Sequence, residues 1–253
     1  MPRSLVSRSL EPLVAILWGI FLAWTAWLAV VWITPVGASA LGLIEGDPTP
    51  KNADLRRAVL LLAESADLVW LTLAVMNLHL ILTRAHGLRT ARAWLAFSGG
   101  GALLLGVLNA WSGVLFGRLF FGGALGVRLL SVPVGWVLLW VVLVIAARES
   151  VLRMMPRASH RLTAILTAVL VLVTVMNAEW PARLVRGWWG WQHGEAPGVP
   201  WRFWLSWCVW PVLMAFAMRE KDVASASVAR SGKPVILLAA LNVIALTARL
   251  RHG

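Results

Sequence analysis

The stretch Leu13–Ile33, LVAILWGIFLAWTAWLAVVWI, holds 21 residues without a single charge and carries Trp18, Trp24, Trp27 and Trp32. A bilayer core about 30 Å thick needs roughly 20 apolar residues per helical span, so this stretch reads as a membrane-crossing helix. Arg3 and Arg8 precede it and a GASA sequence follows at 37–40, an arrangement that superficially resembles a secretory leader. The apolar run is longer than the roughly 7 to 15 residues of a leader, and an uncleaved first helix is expected.

The rest of the chain repeats this character. Hydrophobic residues make up 60% of the 253 positions and charged residues 13%, against about a quarter charged in soluble domains. Further apolar segments are expected at about Ala58–Thr83, Trp94–Leu115, Leu129–Ala147, Leu162–Glu179, Trp201–Met218 and Pro234–Leu246, the last being short. The fold class is therefore all-α: a polytopic transmembrane helical bundle of about seven spans, forming one integral membrane domain over residues 1–253.

The net charge of +12 would elsewhere suggest nucleic acid, but the arginines sit in the short connections. They read as topology signals and contacts to anionic membrane lipid, and no nucleic-acid partner is expected. Thirteen Lys and Arg lie with the amino terminus and the even connections, and ten lie on the other side. The bias places the amino terminus in the cytoplasm, in a bacterial inner membrane. The single cysteine, Cys208, excludes an intramolecular disulfide and a cysteine-type zinc site. No phosphate loop, dinucleotide fingerprint, zinc helix or nucleophile elbow occurs, and no carboxylate run suits magnesium diphosphate.

Polar residues converge on one membrane face. Glu64 and Asp67 open the second segment, three apart and so on one helix face. Glu179 closes the fifth. The stretch Asn177–Pro211 that follows holds eight of the 17 tryptophans, with His193 and Glu195 between them. A carboxylate within a span costs at least about 2.5 kcal/mol on insertion scales and usually faces a cavity or a partner; alternatively, Glu64 and Asp67 reach headgroup water. Tryptophans gather at membrane interfaces generally. Yet carboxyl groups in apolar surroundings retain their protons, and aromatic faces stabilise cations, so the same set suits acid-catalysed carbocation chemistry on a polyene lipid. His79 reads as an interior histidine, with no second histidine at metal-binding spacing.

Two stretches resemble a family, the membrane carotenoid biosynthesis proteins that include the bisanhydrobacterioruberin hydratases (carotenoid 1,2-hydratase type). In Ser112–Trp140, Gly113, Phe116, Gly117, Leu125, Gly126, Val132, Pro133 and Trp140 stand at the family's positions. In Asn177–Pro211, Pro181, Gly187, Trp189, Trp191, Gly198, Val199, Pro200 and Trp207 do so. Where the family has an aspartate before the proline, this chain has Trp180, with Glu179 one residue earlier; Leu119 and Phe121 replace two tyrosines, and Phe203 and Ser206 replace an asparagine and a glycine. The resemblance implies addition of water across a terminal double bond of an acyclic carotenoid, with no redox cofactor and no metal. It points to Glu179 and Asp67, with Glu64 behind them, for acid or water-positioning roles. Trp180, Trp189, Trp191, Trp207, Phe116 and Phe121 would line the substrate site. A noncatalytic scaffold or lipid-binding protein on the same fold is the alternative.

Overall fold

The computed structural model describes residues 11–34, 36, 52–191, 198–218 and 231–252. Among the described residues eight α-helices follow one another: α1 (Glu11–Ile33), α2 (Ala53–Glu64), α3 (Ala66–His86), α4 (Leu88–Ser112), α5 (Val134–Met154), α6 (His160–Leu184), α7 (Trp201–Ala217) and α8 (Lys233–His252). Six of them, α1, α3, α4, α5, α6 and α8, are long and apolar enough to cross a membrane. At 17 residues, α7 is slightly shorter and completes a set of seven. The last segment is longer than its sequence pattern suggests: α8 extends over 20 residues, because its basic end, Arg249 to His252, continues the helix beyond the apolar run.

The bundle is built around α5. Its core, VGWVLLWVVLVIAA, is apolar on every side, the pattern of a helix with neighbours all round. It packs against α3, α4, α6, α7 and α8. The outer helices keep one lipid-facing side, seen in exposed Ile16, Ile20, Leu104, Ile165, Val173 and Val243.

The expected second segment is two helices. Ser65 interrupts it with φ −81° and ψ −6°, and its hydroxyl donates back to the carbonyl of Leu61 at 2.8 Å, a contact that bends helices. Helix-end carbonyls need outside donors. Trp27 Nε1 supplies one to Leu62 O at 3.1 Å, and Arg186 Nη2 supplies one to Ala63 O at 2.9 Å. The expectation of a shared face for Glu64 and Asp67 is thereby corrected: Glu64 ends α2 in the open, whereas Asp67 begins α3 in the interior. The short α2 is capped by Asn52, whose side chain accepts from the amides of Asp54 and Leu55.

Alternation of the helices brings the connection after α4 and the connection after α6 to one membrane face, where they join. β1 (Leu119–Phe121) and β4 (Trp189–Trp191) form an antiparallel pair with Leu119 opposite Trp191, Phe120 opposite Gly190 and Phe121 opposite Trp189. Between them in sequence lie β2 (Arg128–Leu129) and β3 (Val132–Pro133), paired with each other. A β-carbon on Gly122 would stand 1.9 Å from Gly187 O, so only glycine permits the two connections to approach this closely. Gly113, at φ +62°, ends α4 in the left-handed conformation, the usual glycine device at a helix C-terminus.

Candidate functional site: an aromatic cluster between two carboxylate–arginine pairs

Phe116 lies in the middle of the joined connections. Asn109, near the end of α4, holds this backbone in place: its Oδ1 accepts from Phe116 N at 2.8 Å and its Nδ2 donates to Gly117 O at 3.0 Å. Trp191 Nε1 donates to Phe116 O at 3.1 Å, and the Ser206 hydroxyl donates to Leu115 O.

Around Phe116 stand Trp136 at 5.4 Å, Trp140 at 6.1 Å, Phe203 at 6.3 Å and Trp207 at 6.5 Å between ring centroids. Trp140 and Trp207 stack at 4.0 Å, 7° from parallel. Trp189 meets Trp136 edge-on at 5.8 Å, Phe121 meets Trp136 at 5.2 Å, and Trp191 meets Phe203 at 5.4 Å. Of the six aromatic residues expected at the substrate site, Phe116, Phe121, Trp189, Trp191 and Trp207 share this cluster. Trp180 does not join it; it is half-buried on α6.

Trp136, Trp140 and Phe203 are the members not expected at the substrate site from the sequence. Their signal is helical spacing: Trp136 with Trp140 on α5, and Phe203 with Trp207 on α7, are four apart and so share a helix face.

Asp67 and Glu179 each hold an arginine. Asp67 Oδ2 accepts from Arg186 Nε at 2.8 Å and Nη2 at 2.5 Å, and its Oδ1 accepts from Trp32 Nε1 at 2.8 Å. Both side chains of the pair have no solvent exposure. Trp32 in turn meets Trp188 edge-on at 5.2 Å, and Trp188 meets Trp189 at 5.7 Å, so the pair abuts the cluster. Arg186 was not foreseen, since an arginine in a connection reads as a topology signal until the fold encloses it.

Glu179, on α6, accepts from Arg183 Nε at 2.6 Å; the carboxylate side is 8% exposed and the arginine side 29%. The guanidinium lies 5.7 Å from the Trp191 ring centroid. Glu64 is exposed and makes no part of either pair. His193 and Glu195 lie outside the described residues. Among the described residues, no group of three or more His, Cys, Asp or Glu is arranged to hold a metal ion.

Residues 66–251, which include the aromatic cluster and both carboxylate–arginine pairs, match the family model described as carotenoid biosynthesis protein. The chain belongs to that family. No curated protein and no solved structure matches it. The two stretches singled out in the sequence are therefore the two connections that the β1–β4 pairing unites in this carotenoid biosynthesis protein. Its integral membrane character follows independently from the helices.

Proposed function

We propose that the protein receives the end of an acyclic carotenoid at the aromatic cluster and adds water across its terminal double bond. The observation that supports this is the placement of Glu179: a largely buried carboxylate held by Arg183, whose guanidinium lies 5.7 Å from the Trp191 ring of the cluster and itself reaches the surface. Arg183 can move off Glu179 when a ligand arrives, whereas Arg186 is enclosed and stays with Asp67.

In this mechanism the Glu179 carboxylic acid gives its proton to the less substituted alkene carbon. The charge left on the tertiary carbon is met by the faces of neighbouring rings, which attract cations. Water adds to that carbon, and its surplus proton returns to Glu179, so no redox partner enters. Asp67 acts at one remove, by holding Arg186 and through it the backbone that carries Trp188 and Trp189. Glu64 has no part in the step.

A second reading is favoured by one feature: both carboxylates beside the cluster receive hydrogen bonds from arginine, as in a noncatalytic polyene or lipid holder. Coexpression with a lycopene-type substrate separates the two. The hydratase reading expects a hydroxylated product from the wild type and its loss in Glu179→Gln, with the protein still folded. An absence of product from the wild type, while another family member works in parallel, would refute it. The excess of basic residues on the opposite face supports a cytoplasmic amino terminus and thus a cluster on the far side of the bacterial inner membrane.

A further inference from the structure

Four indoles of the cluster, on Trp136, Trp140, Trp189 and Trp207, are at most 2% exposed, and in none does Nε1 have a hydrogen-bond partner among the described residues. The adjoining Trp188 Nε1 is in the same state. The four come from three elements, α5, β4 and α7, and their rings are linked through contacts of 4.0 to 6.1 Å. The indole N–H can only donate. Leaving one buried and unpaired forfeits its hydration without a replacement bond, and native interiors leave few such groups. Five other indoles are matched to oxygen: Trp24 to Ala66 O, Trp27 to Leu62 O, Trp32 to Asp67, Trp70 to the Thr25 hydroxyl and Trp191 to Phe116 O. A neighbouring π face is a weak acceptor beside an oxygen lone pair.

We infer that the cluster is an oxygen-acceptor site: it takes a ligand end group that bears a hydroxyl or carbonyl oxygen, and it holds that form more tightly than the corresponding hydrocarbon. An unsubstituted polyene end has no lone pair to offer, whereas a tertiary alcohol has two. The inference rests on the polyene reading above for the identity of the ligand, but the preference for oxygen follows from the indoles alone. Under that reading the hydrated end group stays bound in preference to the alkene, and release of the alcohol limits turnover.

Two titrations of the purified protein in lipid nanodiscs, read by tryptophan fluorescence, test this. One compares an acyclic carotenoid hydrocarbon with its 1-hydroxy derivative. The other compares a monoterpene hydrocarbon with the matching tertiary alcohol, short mimics of the end group alone. The expected result is binding of the alcohol about fivefold or more tighter in both pairs, the scale of one or two net hydrogen bonds. Trp207→Phe, which removes one donor and keeps a ring, should narrow the ratio. If that variant does not fold, the shift of indole ¹H–¹⁵N resonances in the wild type on adding the short alcohol, and not on adding its hydrocarbon, makes the same point.

Preference for the alcohol in the short pair with no binding of either carotenoid upholds the oxygen site and overturns the polyene reading. Equal or tighter binding of the hydrocarbons overturns the oxygen site and leaves the polyene reading standing. Binding of none of the four overturns both.

Discussion

Asp67→Asn and Glu179→Gln remove one charge each from the two carboxylate–arginine pairs beside the cluster, and the structure assigns them very different costs. In Asp67→Asn the amide oxygen can still accept from Trp32 Nε1, but Arg186, with no exposure, keeps its charge in the interior with the carboxylate gone. Breaking a fully buried pair from one side costs about 3 to 5 kcal/mol. Arg183 is 29% exposed, so water replaces Glu179 and the loss is about 1 kcal/mol or less. The difference of roughly 3 kcal/mol corresponds to about a hundredfold in the unfolding equilibrium. Reversible SDS titration in mixed micelles, followed by tryptophan fluorescence, measures both. The double variant Asp67→Asn/Arg186→Gln also removes the buried guanidinium charge and retains donors for Ala63 O; it should recover at least half of the loss. Equal effects of the two single variants, or strict additivity in the double, would refute the reasoning, because either means that Arg186 is not confined with Asp67 as its counter-charge.

Two further outcomes are expected. Gly122→Ala places a methyl group where Gly187 O stands, so the β1–β4 pairing must open, at a cost of about 2 kcal/mol or more; near-UV circular dichroism of the tryptophan cluster should change, and an unaltered spectrum would contradict the pairing. Under the proposed orientation, seven spans from a cytoplasmic amino terminus, a reporter fused after Gly253 should be active as alkaline phosphatase and dark as green fluorescent protein; the reverse pattern would invert the orientation.

Particular residues show how far sequence reading reached. The membrane spans were legible because each is a local property, some 20 apolar residues in a row, and even α7 and α8 were located correctly within a few residues of their starts. The two family stretches were legible as spacing of glycine, proline and tryptophan. Ser65 was not, because a serine within an apolar run reads as a tolerated helix residue until Trp27 and Arg186 arrive from distant segments to satisfy the carbonyls it releases.

By itself, the sequence determined that this is a helical membrane protein, which membrane face collects its polar and aromatic residues, and which two connections carry the family pattern. Hydrophobic length and residue spacing are encoded along the chain, and need no contact between distant parts. Only the tertiary structure decided that the two connections pair through Gly122 and Gly187, that Asp67 is given to Arg186, and that four buried indole N–H groups of one cluster lack a partner. Those are relations between residues from about 50 to 120 positions apart, and they exist only once packing around α5 has set the distances.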